Sequence, residues 1–115
     1  MVRKKSEQKV TTAENLRGGT GSIIMREIAD KAELYEKSRL FAHVVIKPGC
    51  SIGHHVHENE MEAYYILSGE GTYEHNGVKS VVSAGDTTVT MHGEGHSIVN
   101  EGSEDLEMIA LVVMR

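Results

Sequence analysis

Short apolar segments alternate with tight-turn signals along most of this chain, and that spacing limits the fold more than any other feature. Many short strands joined by regular turns are typical of a sandwich or a closed barrel. Asn76-Gly77 lies between two of the segments and predicts a type I′ hairpin, because both central positions of that turn need positive φ. The segments predict strands over 22–28, 39–46, 62–68, 78–82, 87–91, 96–100 and 106–114. We therefore expect an all-β protein.

The N-terminal part of the chain lacks this pattern. Residues 1–20 are polar and glycine-rich, which predicts an irregular arm ahead of a single domain over residues 21–115. Residues 30–37 are compatible with a helical turn or with an exposed loop. If left unpaired, residues 22–28 would form a long apolar edge, so we expect a second copy of the chain to cover it in a homodimer.

Composition and charge exclude several classes of protein. The 115 residues are enough for one domain, and the formal net charge of −5 disfavours nucleic acid as a partner. The basic cluster Arg3, Lys4 and Lys5 has no apolar run behind it, which argues against a signal peptide and against a membrane span. Cys50 is the only cysteine, so neither an intrachain disulfide nor a cysteine-based zinc site can form. We expect a cytoplasmic protein.

The histidines cluster in two places, which suggests a shared site. One group is His54, His55 and His57, and the other is His92 and His96. On an extended strand, His55 and His57 project from one face toward the interior, and His54 points the other way. His54 is an alternative to His55 as a ligand.

Further ligand types lie on later predicted strands. Glu62 would share a face with Tyr64 and Ile66, and its carboxylate would bring a negative charge beside two imidazoles. His96 opens another strand and can supply a fourth ligand from across the barrel. Three imidazoles and one carboxylate suit Mn, Fe, Co, Ni, Cu or Zn. In an octahedral site they leave two positions open for water or substrate.

Two segments of the sequence resemble the two motifs of the cupin superfamily. The first motif is matched at every spacing by Gly49, His55, His57, Glu62 and Gly69. The spacings from Gly49 and to Glu62 favour His55 over His54. The second motif is matched by Gly85, Gly93, His96 and Asn100. Met91 stands where the family usually has proline, a departure that affects a turn and leaves the ligand in place.

The resemblance implies a cupin jelly-roll β-barrel of two antiparallel sheets and frequent dimerisation. It also implies one divalent metal held by His55, His57, Glu62 and His96, with Mn or Fe favoured. Alternation and the resemblance together place a small, mostly apolar cavity beside the metal. Its expected lining residues are Ile52, Tyr64, Ile66, Met108 and Ala110, with Ala42 and Val44 as further neighbours.

Residues 39–71 are most similar to stand-alone cupins described as oxalate-decarboxylase-like, which implies Mn and a small dicarboxylate ligand. True oxalate decarboxylases are two-cupin chains with a substrate-binding arginine three residues before the first histidine ligand, where this chain has Ile52. The leading hypothesis is a metalloenzyme acting on a small carboxylate or keto-type metabolite, in a decarboxylase-like or dioxygenase-like reaction. The alternatives are a non-catalytic metal- or metabolite-binding module and a metal-free sugar-type isomerase.

Other titratable residues lack a partner at motif spacing. We expect His43, His75 and His92 to be solvated or hydrogen-bonded, although His92 lies in the turn before a ligand and is a candidate for the cavity mouth. Glu58 and Glu60 are expected in a solvated loop, where a mobile acid near the metal could act as general acid or base.

Overall fold

The computed structural model describes all 115 residues and contains only strands, turns and two short 3-10 helices at Lys5–Glu7 and Leu16–Gly18. The ten strands are β1 Val10–Glu14, β2 Ser22–Glu27, β3 Leu40–Ile46, β4 Ser51–Val56, β5 Glu60–Ser68, β6 Glu70–His75, β7 Val78–Ser83, β8 Thr87–Thr90, β9 Gly95–Val99 and β10 Leu106–Met114. The all-β prediction is confirmed. Most predicted strands are found within two residues of their predicted bounds.

The strands form two antiparallel sheets. One has six strands in the order β1-β2-β3-β10-β5-β8, and the other has four in the order β4-β9-β6-β7. Alternate residues of each strand point between the sheets, so period-two patterns such as that of β10 build one apolar core. The core residues are Ile23, Ala42, Val44, Ile46, Ile52, Tyr64, Ile66, Tyr73, Val82, Ile98, Leu106, Met108 and Ala110.

The hairpin between β6 and β7 has the predicted form. Asn76 and Gly77 have φ angles of 49° and 84°, and His75 pairs directly with Val78. Residues 30–37 are exposed turns rather than a helix, held by main-chain bonds such as Leu34 N–H to Asp30 O at 3.1 Å. No helix in the structure is both long enough and apolar enough to cross a membrane.

Two predictions about the N-terminal part are wrong. The segment expected to be an irregular arm contains β1, which pairs antiparallel with β2 over five residue pairs. Because β2 therefore lies between β1 and β3, residues 22–28 are not an open edge. Strand β1 has no apolar alternation, since four of its five residues are exposed and main-chain hydrogen bonds hold it in place. The division of the chain at residue 20 stays a prediction.

The segment that follows β1 packs closely on β4. A Cβ atom at Gly19 would lie 2.3 Å from the carbonyl oxygen of Ser51, and one at Gly53 would lie 2.1 Å from that of Arg17. Only glycine fits at either position, because side chains do not tolerate such short distances to backbone atoms. The two glycines therefore allow the turn at residues 16–18 to lie against the strand that carries the histidines.

Candidate metal centre

Four residues from three parts of the chain converge in the interior between the two sheets. His55 lies on β4, His57 directly follows it, Glu62 lies on β5 and His96 on β9, and one ligand atom of each falls within 4.8 Å of the others. The Nε2 atom of His96 is 3.0 Å from that of His57 and 3.1 Å from that of His55. Oε1 of Glu62 lies 3.0 Å from His96 Nε2, 3.2 Å from His57 Nε2 and 3.8 Å from His55 Nε2. The four side chains thus surround one point.

A shift in strand pairing decides which histidine joins this group. Ile52 of β4 pairs with Ile98 of β9, and without irregularity His54 would then lie opposite His96. A bulge between Ile52 and His55 moves the register by one residue, so that His55 is the partner of His96 instead. A one-residue shift exchanges the two faces of a strand. His54 is accordingly exposed, and His55 faces the interior.

Each of the three histidines has its outer ring nitrogen held by a different kind of partner. His57 Nδ1 lies 2.7 Å from the Glu60 carboxylate, and His55 Nδ1 lies 2.8 Å from the carbonyl oxygen of Gly53. A carboxylate and a carbonyl only accept hydrogen bonds, so both Nδ1 atoms must donate. In the neutral rings the inward-facing Nε2 atoms then carry lone pairs, as metal ligation requires.

The outer nitrogen of His96 meets two hydroxyl groups. Its Nδ1 lies 2.7 Å from the Tyr73 hydroxyl and 2.9 Å from that of Thr90, and those two hydroxyls are 2.8 Å apart. All three side chains are buried. This network fixes the plane of the His96 ring without any charged group.

The prediction that Glu60 is solvated is wrong, since it is partly buried in an ion-pair chain between exposed Arg39 and buried His57. Arg39 donates to its carboxylate from Nε at 2.8 Å and from Nη2 at 2.6 Å, while its Oε2 accepts from His57. Hydrogen bonding to Arg39 lowers the pKa of Glu60; burial opposes this, and His57 adds to it. Glu60 is therefore an anionic acceptor that orients His57, whereas Glu58 is exposed.

The electrostatics of the inner residues favour an ionised carboxylate. Burial alone would raise the pKa of Glu62, but the three histidines, which donate to it when protonated on Nε2, outweigh burial and hold the pKa far below its ordinary value. Hydrogen bonding to Glu62 raises the pKa of His57, an effect that burial reduces and Glu60 reinforces. Burial lowers the pKa of His96, which therefore favours the neutral ring. Glu62 is thus a negative donor oxygen among imidazole nitrogens.

A cavity of about 200 Å³ adjoins this cluster and is mostly apolar. Of the lining residues predicted from the sequence, Ile52, Tyr64, Met108 and Ala110 are found there, and so is Val44. Ile66 is not among the lining residues and is fully buried in the core between the sheets. Tyr64 stacks on the His96 ring at a centroid distance of 5.2 Å, and burial raises the pKa of its hydroxyl well above the ordinary value.

Other contacts of the site could not be read from motif spacing. Beyond their strand alternation, nothing in the sequence points to Tyr73 and Thr90. For Glu60, the three-residue spacing from His57 was a usable signal, because a turn can bring such residues together. Arg17 and Arg39 also line the cavity, and both come from outside the two motifs.

The remaining histidines lie outside the cluster. His43 Nε2 is 3.0 Å from Glu107 Oε1, and His75 Nε2 is 3.4 Å from Glu94 Oε1. His92 Nδ1 accepts a bond of 2.8 Å from the backbone N–H of Asn59 and does not line the cavity. These three are hydrogen-bonded or paired surface groups.

A local hydrogen bond explains why methionine suits position 91, where the family usually has proline. Met91 N–H donates to the Glu94 carboxylate at 2.7 Å, a bond that proline could not make. Glu94 N–H returns a bond to the Met91 carbonyl oxygen at 3.0 Å. The turn before His96 is therefore closed by a side-chain bond instead of a proline ring.

A two-sheet β-barrel with three histidines and one glutamate at its interior defines a class of protein, and this chain belongs to it: it is a cupin. The family's sequence model, described as Cupin domain, matches residues 42–114. The chain is 43% identical over 114 residues to the oxalate-binding protein of Thermotoga maritima, covering 99% of this chain and 94% of that one.

Solved structures agree with this assignment. The crystal structure of a predicted oxalate decarboxylase from Thermotoga maritima matches with a TM-score of 0.95 and 43% identity, and the match covers 100% of both chains. The structure of KdgF from a Halomonas species matches with a TM-score of 0.79 over 100% of this chain and 94% of that one. At 22% identity, the second match supports the fold alone. The expected cupin jelly-roll is confirmed.

Proposed function

We propose that this chain binds one divalent metal ion through His55, His57, Glu62 and His96, and a small carboxylate at that ion. The main support is the fixed orientation of His55 and His57, whose outer nitrogens donate to acceptors and whose inner nitrogens face Glu62 and His96. Lone pairs and a carboxylate directed at one desolvated point are costly without a cation between them.

The spacing of the donor atoms supports Mn or Fe as the metal. With bonds of about 2.1 Å, ligands at right angles lie about 3.0 Å apart, and tetrahedral ligands about 3.4 Å apart. Four of the separations given above are 3.0 to 3.2 Å, which favours the octahedral arrangement. Such a site leaves two positions open. Imidazole and carboxylate donors suit Mn and Fe, while Zn, Ni, Co and Cu remain alternatives.

The proposed ligand class is a small dicarboxylate such as oxalate. The similar protein from Thermotoga maritima is described as oxalate-binding, and the two chains share 43% identity. The cavity of about 200 Å³ leaves room for a small molecule only. Two arginines line it beside the metal-facing residues, which suits an anionic ligand.

A metalloenzyme acting on such a carboxylate or a keto-type metabolite is the second candidate. The bound metal would supply Lewis-acid polarisation of the ligand's oxygen atoms. Glu62, itself a proposed metal ligand, is the only carboxylate among the cavity-lining residues. Tyr64 keeps its proton because its pKa is raised by burial. No lining carboxylate is therefore free to act as a general acid or base, which favours binding over turnover.

The test combines metal analysis with ligand titration. Purified chain should contain one equivalent of metal, and the Mn- or Fe-loaded form should bind oxalate in calorimetry. His55→Ala should lose both, whereas His54→Ala, a change of the exposed neighbour, should keep both. Turnover of oxalate or keto acids, with and without oxygen, would assign the metalloenzyme. Absence of metal from the wild type, together with failure to take it up, would overturn the proposal and revive the sugar-type isomerase.

We also propose a homodimer, through a different surface from the one first expected. Tyr65, Leu67, Val89 and Val113 are 38% to 50% exposed and lie on the outer face of the neighbouring strands β5, β8 and β10. A second copy related by a two-fold axis would cover this apolar face with the same face. Light scattering should give twice the chain mass for the wild type and a lower mass for Tyr65→Lys. A monomeric wild type would contradict the dimer.

The cytoplasm is the proposed location. Cys50 is free and half-buried, and a chain with a single cysteine gains no stability from an oxidising compartment. Fractionation of cells expressing the native gene would test this.

A further inference from the structure

Two arginines line the cavity, and they differ in what neutralises them. Arg39 is bound by both oxygens of Glu60. Arg17 has no carboxylate within 4.0 Å, since the ion pairs of the chain's arginines are Arg3 with Glu33 and Arg39 with Glu60. Its guanidinium makes no side-chain hydrogen bond either. Arg17 is therefore the one cationic side chain at the cavity whose donors are free for a ligand.

The backbone holds Arg17 in an unfavourable conformation. Its φ angle is 56°, in the left-handed region that side chains other than those of Asn, Asp and Gly rarely occupy. Such conformations persist only where the surroundings impose them, and they cluster at ligand-binding sites. Here the surroundings are the close contacts of Gly19 and Gly53, which fix the 16–18 turn against β4. Leu16, in the same turn, also lines the cavity.

Arg17 shares the cavity with the wall of the proposed metal centre. It lines the same cavity as Tyr64, whose ring stacks on that of His96. An anion bound at the metal would lie within the same field.

Charge balance indicates the class of anion. Glu60 neutralises Arg39, and Glu62 neutralises half of a divalent ion's charge, so the loaded site with Arg17 keeps about two positive charges. The metal end of the site is buried, where an uncompensated charge favours a ligand that cancels it, and the exposed Arg17 adds its charge at the cavity wall. A doubly charged dicarboxylate would do so, and a neutral sugar would not.

We propose that Arg17 binds the carboxylate oxygens of a small dianion held at the metal, and that it sets the preference of the site for dicarboxylates. This inference rests on the proposed function and deepens it. It gives the N-terminal turn the role of ligand anchor, at a place in the chain far from the position of Ile52. Arginine suits this role because its planar fork matches a carboxylate with two hydrogen bonds.

The experiment is calorimetric titration of oxalate into the Mn-loaded full chain, with metal content measured for every variant. Arg17→Met keeps the apolar stem and removes the charge, and it should raise the oxalate Kd about 10- to 100-fold, as expected for lost charge-assisted bonds. Arg17→Lys should recover part of the affinity. The matched control is Arg26→Met, on β2, whose guanidinium donates to the Lys5 carbonyl oxygen away from the cavity.

The outcomes separate the two proposals. Metal content should be equal in all four proteins, since Arg17 is not a proposed ligand. If the wild type and Arg17→Met bind metal and oxalate equally well, the assignment of Arg17 is overturned and the proposed function stands. A lysine variant as weak as the methionine variant would contradict a role for the positive charge. A wild type that takes up no metal would overturn the proposed function itself.

Discussion

The two most deeply buried histidines of the cluster, His57 and His96, face the same point but are held in opposite ways. On one side, the His57 ring meets Glu60 and, through it, Arg39, which is a chain of formal charges. On the other side, the His96 ring meets the Tyr73 and Thr90 hydroxyls, which are neutral. The pKa of His57 is raised, chiefly by its bond to Glu62, and that of His96 is lowered, chiefly by burial.

This difference indicates that the two histidines have different roles within the proposed ligand set. A carboxylate behind a histidine makes the ring a more basic ligand and fixes its tautomer. A pair of hydroxyls fixes the plane of the ring with little effect on its basicity. Because either hydroxyl can hold the ring, the loss of one should weaken metal binding only slightly. The His57 side should therefore be more sensitive to substitution than the His96 side.

The largest expected effect comes from Glu62, the residue that both sides share. Glu62→Gln keeps the shape of the side chain and removes the negative charge in contact with all three histidines. Metal affinity should fall by more than the roughly 100-fold that is the upper range for an outer partner. Competition titration against a chelator measures it. Glu58→Gln, at a side chain 72% exposed, is the control, and equal affinity in the two variants would argue against Glu62 as a ligand.

The second effect tests the charged side alone. Glu60→Gln leaves His57 in place but removes its anionic acceptor and the partner of Arg39. Metal affinity should fall by about 10- to 100-fold, the range for conserved outer partners of ligating histidines. The same chelator competition measures it, again with Glu58→Gln as control. An affinity within experimental error of the wild type would remove the distinction between the two sides.

The neutral side should show a smaller loss. Tyr73→Phe removes one hydroxyl from His96 Nδ1, yet Thr90 Oγ1 stays 2.9 Å away and can keep the ring oriented. A neutral hydrogen bond contributes about 1 kcal/mol, so metal affinity should fall by about fivefold. Tyr65→Phe, which alters an exposed tyrosine on the outer face of β5, is the matched control. A loss larger than that of Glu60→Gln would reverse the comparison.

The sequence predicted the cluster of three histidines and Glu62, and the sheet pattern, because both depend on local regularity. Period-two alternation places Glu62 and Tyr64 on one face, and motif spacing favours His55 over His54. The bulge that brings His55 opposite His96 is a property of strand pairing, which alternation alone does not reveal. Glu58 and Glu60 are the same residue type in one polar stretch, and only the turn after β4 decides which of them reaches His57.

The N-terminal contributions were harder to foresee for a different reason. Strand β1 buries almost nothing, so its position depends on main-chain bonds that leave no pattern of side-chain polarity. Arg17 reaches the cavity because glycines 34 residues apart, Gly19 and Gly53, allow two backbones to touch. Contacts of this kind depend on tertiary approach and have no short-range signature.

The smallest expected effect is the pH dependence of the stability of the metal-free protein. It compares the charged partner of His57 with the neutral partners of His96 directly. The folded-state pKa of His57 is raised above its ordinary 6.5. A raised pKa contributes stability that is present below the unfolded-state value and is lost as pH rises through the folded-state value. Glu60→Gln removes part of this contribution. The Glu60→Gln variant should therefore be destabilised more at about pH 6 than at about pH 8.5, which thermal unfolding measures as a larger drop in Tm at the lower pH.

Tyr73→Phe should behave differently in the same thermal unfolding experiment with chelator present. Burial lowers the pKa of His96 and so favours its neutral ring, and the hydroxyl bond that the variant loses is a neutral one. The destabilisation by Tyr73→Phe should thus be equal at both pH values. If both variants lost the same stability at each pH, the two histidines would not differ in charge, and the charged chain from Arg39 to His57 would have no thermodynamic consequence.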